Sequence, residues 1–367
     1  MATATRTEVE QLEATAYTVP TDAPESDGTL EWDSTTIVVV EARAGDATGL
    51  GYTYTHAAAA RLIEDKLAEA VKGCDALEVR SAWQAMSRAL RNIGRPGLGF
   101  MAISAVDLAL WDLKARLLEQ PLVAVLDGAH DGVPIYGSGG FCSYSDSQLG
   151  EQLAGWAEQG IPRVKMKVGR EPERDRDRAH AARAAIGEDV ELFVDANGAL
   201  SRQEALEWSR VYADEFDVKW FEEPVSSDDL QGLRLLRDGS PAGIEIAAGE
   251  YGDTLPYFRH MLDAGAIDCL QADVTRCGGI TGLLEVAALA HAHELDLSAH
   301  CAPAISTHAF CAVTRLRHLE YFHDHVRLEG LLFDGVPEPQ NGVLKPDFSR
   351  HGNGLELKRR DAERYAA

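Results

Sequence analysis

Eight acidic or basic side chains recur through the second half of the chain at a spacing that could bring them to one place. Lys165 and Lys167 stand in the apolar stretch Pro162–Gly169. Asp195, Glu222, Glu250, Asp273, His300 and Glu320 follow in steps of 20 to 28 residues. In a strand, alternate side chains share a face, so both lysines point the same way. Two buried ammonium groups on one face repel each other and lose water. Both effects are expected to lower a lysine pKa towards that of a useful base. Three carboxylates from consecutive units, Asp195, Glu222 and Glu250, offer hard oxygen ligands of the kind Mg²⁺ takes. Glu223 stands beside Glu222 as a rival ligand, and neither the strand period nor Pro224 decides between them. Asp273 and His300 are one step apart. A carboxylate next to an imidazole fixes its tautomer and raises its basicity. Glu320 could exchange a hydrogen bond with a substrate. His308 reads as a helix residue.

Such an array needs a scaffold that repeats every 20 to 28 residues. From Val133 the chain alternates short apolar strands with helical segments. Strands are predicted at 133–136, 163–168, 191–195, 218–222, 244–248, 269–274, 296–300 and 318–322. Ser145 with Gln148 and Ser201 with Glu204 read as capping boxes at helix starts. Eight strand–helix units over about 200 residues predict a (β/α)8 barrel, with the active site at the C-terminal ends of its strands. The first third differs. Thr35–Arg43 and Gly49–Thr55 read as strands, and helices are expected at 57–72, 77–92 and 102–118, an α+β pattern. Thr18–Asp33, rich in proline, serine and acids, reads as a mobile surface loop whose Asp22, Glu25, Asp27, Glu31 and Asp33 mostly face water. The expected division is an α+β capping domain over 1–130, the barrel over 131–335, and a tail over 336–367 that returns to the capping domain.

The 367 residues carry a formal net charge of −24, which argues against nucleic acid or an anionic membrane as partner. Six cysteines, with no Cys-x-x-Cys pair, point to reduced core thiols of a cytoplasmic protein. The N-terminus has no apolar signal region, and no stretch reaches the roughly 18 apolar residues of a membrane helix.

These residues resemble the enolase superfamily in its mandelate racemase subgroup, over nearly the whole chain. Ala109-Leu110-Trp111-Asp112-Leu113 with Gln120-Pro121 resembles the end of the family's capping domain, and Val164-Lys165-Met166-Lys167 its Lys-x-Lys strand. Asp195-Ala196-Asn197, Trp220-Phe221-Glu222-Glu223-Pro224 and Gly249-Glu250 resemble its metal-ligand segments. Gln271-Ala272-Asp273 with Gly278-Gly279-Ile280-Thr281, and Ser298-Ala299-His300, resemble its Asp–His dyad. The resemblance selects Glu222 over Glu223. Asp273 stands where the muconate lactonizing and dipeptide epimerase subgroups would carry a lysine, which disfavours those two.

The resemblance implies Mg²⁺ as cofactor and a small-molecule carboxylate, a sugar acid, as substrate. Lys165 would contact the carboxylate, and Lys167 and His300 would face opposite sides of the α-carbon. Dehydration to a 2-keto-3-deoxy acid is the expected reaction. Racemisation, epimerisation or lactone cycloisomerisation on the same site is the alternative, and a non-catalytic acid-sugar binding protein is the rival from another class. Trp32, Tyr52, Tyr54 and His56, with Asn197, are the expected substrate-binding groups, because polar aromatics near the capping loops suit a hydroxyl-rich ligand. A homo-oligomer is expected.

Overall fold

A computed structural model describes residues 7–367. Three antiparallel strands open it: β1 (Gln11–Ser26), β2 (Glu31–Ala44) and β3 (Ala47–Tyr54). The stretch expected to be a mobile loop is thus most of a long hairpin. Pro20 pairs with Ser34, the register slips over the next residues, and Glu25 resumes opposite Trp32. β1 is the edge strand of its sheet, where Pro20 and Pro24 cost no inner ladder bonds. The turn is closed by Asp27, whose Oδ1 accepts from the Thr29 and Leu30 amides, each at 2.6 Å. This is an Asx turn, which asparagine and aspartate make readily.

The hairpin end lies against the barrel. A Cβ on Gly28 would stand 2.4 Å from the Ala196 carbonyl oxygen and 2.7 Å from that of Val168, so only glycine allows the approach. The Ser26 carbonyl accepts from the Cys142 amide at 2.8 Å, and the Pro24 carbonyl from Ser143 Oγ at 2.6 Å. Glu25 and Asp27 are consequently buried rather than facing water, while Asp22, Glu31 and Asp33 are exposed.

Helices follow as the sequence suggests, with two differences. The first is interrupted by a π turn at Ile63–Leu67, and the third begins earlier, spanning Leu98–Leu117. That third helix is buried along most of its length because it packs between the three-stranded sheet and the barrel. On the barrel side, its Ser104 and Asp107 accept from the amides of Gly278, Gly279 and Thr281 at the start of the barrel helix Gly279–Ala292. Side chains of one layer thereby satisfy helix-end donors of the other.

Eight parallel strands close into a barrel: β4 (Val133–Gly139), β5 (Arg163–Lys167), β6 (Glu191–Asp195), β7 (Val218–Glu222), β8 (Glu245–Ala248), β9 (Cys269–Ala272), β10 (Asp296–Ala299) and β11 (Leu316–Phe322), with β11 pairing back to β4. All eight predicted strands are present, and both capping boxes form as read. Inside the barrel Tyr136, Phe193, Trp220, Ala247 and Cys269 form a buried cluster, joined by the edge of His318. Tyr136, Phe193, Trp220 and His318 each lie two residues before a polar group, namely Ser138, Asp195, Glu222 and Glu320. The strand period of two therefore stacks a polar layer directly on an aromatic floor.

The last residues run back over the first layer. Asn353 bonds the Leu50 carbonyl and the Asp112 carboxylate, Arg359 pairs with Glu41, and the Ala367 amide donates to Ala16 O at 3.0 Å.

Candidate active site

The strand ends bring Lys165, Lys167, Asp195, Glu222, Glu250, Asp273, His300 and Glu320 to one mouth, each at least nine-tenths buried. Lys165 Nζ lies 2.6 Å from Glu222 Oε1, 2.8 Å from Glu320 Oε1 and 3.4 Å from Asp195 Oδ2. Lys167 Nζ lies 2.5 Å from Asp195 Oδ2. The expected lowering of the lysine pKa values is not what this arrangement produces. Burial opposes the charge on both, but Glu222 and Glu320 around Lys165, and Asp195 beside Lys167, outweigh burial and hold both above the usual lysine value. Mutual repulsion between the lysines is the smaller effect, because each has a carboxylate nearer than the other ammonium group can offset.

Asp195, Glu222 and Glu250 each present a carboxylate oxygen within 4.8 Å of the others. Burial and the surrounding acids push Glu222 up to about 8 despite Lys165. Glu250 Oε2 is buried with no hydrogen-bond donor. Crowded buried carboxylates with an unsatisfied oxygen fit a hard divalent cation, whose charge would relieve their repulsion. Glu222 Oε2 is steered by Trp220 Nε1 at 2.9 Å. Glu223 is also buried, at a φ of 37°, with Oε1 unpartnered, and lies outside the three-carboxylate group.

Across the mouth, His300 Nδ1 bonds Asp273 Oδ2 at 2.8 Å. Asp273 Oδ1 is held by the Thr275 amide and hydroxyl, both at 2.7 Å. With Nδ1 as the donor to Asp273, Nε2 is left facing the cavity, 3.3 Å from Glu250 Oε2 and 3.5 Å from Glu320 Oε2. Burial disfavours the imidazolium, but Glu250, Glu320 and Asp273 raise His300 above the usual histidine value. Lys167 and His300 sit on β5 and β10, separated by two strands one way round the barrel and four the other.

A cavity of about 520 Å³ opens above these groups. Lys167, Asn197, Glu250, His300 and Glu320 form part of its floor. Trp32, Ser34, Thr35, Thr36, Tyr54, Thr55 and His56 from the hairpin and its neighbour strand form its roof. Asn197 Oδ1 is buried without a partner. Tyr52 does not line the cavity. It is fully buried, donates to Glu329 Oε1 at 2.6 Å and stacks on Phe333, so it serves the contact between layers. His308 lies in the helix Pro303–Phe310, as expected. Several lining residues escaped the sequence reading, among them Arg276, Cys301 and His325. Arg276 and Cys301 were within reach of it, since they follow Asp273 and His300 by three residues and one. His325, stacked on Tyr54 with ring centroids 3.4 Å apart, has no local signal.

A closed parallel barrel with this mouth, roofed by an antiparallel α+β layer, defines an enolase-superfamily enzyme. The chain belongs to the mandelate racemase/muconate lactonizing enzyme family: residues 13–127 match its N-terminal domain and 148–362 the enolase C-terminal domain-like family. It is 60% identical to a mandelate racemase/muconate lactonizing enzyme-like protein from Rubrobacter xylanophilus, with a TM-score of 0.97 over 98% of this chain and 100% of that one. It is 33% identical to 3,6-anhydro-alpha-L-galactonate cycloisomerase of Streptomyces coelicolor, over 96% of this chain and 98% of the relative. The L-talarate/galactarate dehydratase of Salmonella typhimurium LT2, crystallised with Mg and L-lyxarohydroxamate, is 28% identical with a TM-score of 0.91, over 100% of this chain and 95% of that one. Among the described residues no helix is long and apolar enough to cross a membrane.

Proposed function

We propose that the protein dehydrates a sugar acid to a 2-keto-3-deoxy acid, with Asp195, Glu222 and Glu250 holding Mg²⁺. The observation that carries this reading is the roof of the cavity. Ser34, Thr35, Thr36, Tyr54, Thr55 and His56 bring hydroxyls and an imidazole to a space whose floor is charged. Several of these groups have protein partners, Thr35 on Asp324, Thr36 on Thr18 and Tyr54 on Glu329, but each hydroxyl oxygen keeps acceptor capacity for a polyhydroxy acid. Beside them the buried, unpartnered Asn197 Oδ1 would stay unpaired with an apolar substrate, at about 1–3 kcal/mol. The dehydratase relative crystallised with Mg supports both the cation and the substrate class.

When bound, Mg²⁺ supplies positive charge against the substrate carboxylate as negative charge builds there. Lys165 adds an ammonium group to the same carboxylate, favouring the enediolate over the ground state. Lys167 and His300 are the proton-moving groups, one on each side of the α-carbon. Lys167 is an ammonium donor while Asp195 pairs with it, and would serve as a base once Asp195 left it for Mg²⁺. Asp273 keeps the His300 Nε2 lone pair, or its proton, directed into the cavity. One of the two takes the α-proton, and His300 gives a proton to the departing β-hydroxyl. The resulting enol tautomerises to the 2-keto acid. Asn197 and the roof hydroxyls orient the sugar chain.

The test is to incubate the purified protein and Mg²⁺ with a complete set of mono- and di-acid sugars and assay keto acid. The Streptomyces relative supports a second reading, lactone cycloisomerisation on the same proton-moving groups. Isomerised product with no keto acid across the set would replace the first reading by the second. No change in any substrate, and no α-proton exchange, would favour a binding protein.

A further inference from the structure

Beside the oxygen-rich corner lies a second group of donors of different chemistry. Cys301 follows His300 on the turn after β10 and is buried with its Sγ at the cavity wall. Sγ is 3.3 Å from His300 Nε2 and 3.3 Å from Glu320 Oε2, and those two atoms are 3.5 Å apart. Cys301 and Ala302 both take left-handed backbone, at φ of 50° and 47°, which non-glycine residues rarely adopt. The turn is held by the Ala302 amide on His325 Nδ1 and by Ser306 Oγ on the Cys301 carbonyl. Two uncommon backbone conformations thus keep the thiol beside the imidazole.

The triangle has the size of a metal's coordination face. Zn²⁺ binds nitrogen and oxygen at about 2.0–2.2 Å and thiolate at about 2.3 Å in tetrahedral sites, so its donors stand about 3.3–3.6 Å apart. One nitrogen, one sulfur and one oxygen form a borderline-soft set that selects Zn²⁺ over Mg²⁺, while Asp195, Glu222 and Glu250 offer oxygen alone. The unpartnered Glu250 Oε2 lies 3.3 Å from His300 Nε2, one corner of the triangle.

We propose that His300, Cys301 and Glu320 form a second metal site, specific for Zn²⁺ and similar thiophilic ions, whose occupation inhibits the enzyme. Binding releases the Cys301 thiol proton to solvent and places the metal on the Nε2 lone pair. Nε2 can then neither take nor give a proton. The inhibitory consequence rests on the role of His300 under "Proposed function"; the binding itself does not.

The test titrates the full chain, kept in excess Mg²⁺, with Co²⁺ and Zn²⁺. Wild type should bind one equivalent of Co²⁺ with a thiolate-to-cobalt charge-transfer band, and Zn²⁺ should displace it. Cys301→Ser should lose the band and bind Zn²⁺ at least tenfold more weakly, while Cys142→Ser should keep both. Zinc-edge X-ray absorption on the unaltered protein gives a reading that needs no variant, with one sulfur at about 2.3 Å expected. Absence of a charge-transfer band, its survival in Cys301→Ser, or a zinc shell of nitrogen and oxygen only would overturn the site. If the metal binds as expected but turnover persists at saturating Zn²⁺, the role given to His300 fails and the site stands.

Discussion

The floor and the roof of the cavity are built by opposite means. Every charged group of the floor sits at a strand end and is repeated by the barrel period, so its position follows from a regular fold. The roof comes from an irregular hairpin and the end of its neighbour strand β3, where Pro20 and Pro24, a slipped register and an Asx turn put Trp32 and the neighbouring hydroxyls over the mouth. The floor's groups hold one another through ion pairs and buried contacts. The roof's groups, Tyr54 excepted, are more exposed and are held by separate neutral or singly charged bonds, Trp32 Nε1 to Glu25 at 2.7 Å and Thr35 to Asp324, together with backbone contacts at the hairpin end. Under the proposed function, the charged floor would carry proton abstraction and the polar roof the choice of substrate.

Substitutions should separate the two layers. The largest effect is expected from Glu222→Gln, which removes one charged ligand and should cut turnover at least a hundredfold. Glu223→Gln should cost at least tenfold less. Steady-state kinetics with Mg²⁺ titrated for each variant checks this, and equal losses would erase the distinction between the two neighbours. Asn197→Ala, at the border of floor and roof, should raise KM roughly tenfold with a smaller change in kcat, because under the proposed function its unpartnered Oδ1 would pair with the sugar chain rather than act at the reacting carbon. Tyr52→Phe should leave KM unchanged and lower stability by about 1 kcal/mol, since its hydroxyl serves Glu329 alone. A shift in KM for Tyr52→Phe would return that residue to the substrate wall.

How much of this could be read from the chain follows the same division. Lys165 through Glu320 were legible because a barrel spaces its mouth residues by one strand–helix unit. The choice of Glu222 over Glu223 needed the family pattern, since both are buried. The hairpin was misread as a loop because its proline and acid content is that of a loop. What makes it a strand is an edge position and a close approach at Gly28, neither of which has a local sequence period. Tyr52 and Tyr54 share one face of β3, yet only Tyr54 reaches the cavity, because the tertiary contact with Glu329 and Phe333 takes Tyr52.

A smaller effect should appear in the contact between layers. Glu329 lies under Tyr52 and Tyr54, and burial pushes it up to about 8 against the hydrogen bonds from Tyr52, the Ala304 amide and Tyr54. A raised carboxylate binds its proton more tightly when folded. Its contribution is therefore complete below about pH 4.5 and is lost as the pH rises towards about 8. Glu329→Gln should narrow the difference in Tm between pH 5 and pH 8, measured by calorimetry. An unchanged difference would place the pH dependence elsewhere.

The central claim is that Lys167 and His300 move protons on opposite faces of one α-carbon. The direct measurement is α-proton exchange in D₂O, followed by NMR, with both epimers of a sugar acid that the enzyme turns over. The account predicts that Lys167→Ala abolishes exchange of one epimer and His300→Asn that of the other, each leaving its opposite measurable. Equal loss of both epimers in both variants would contradict it.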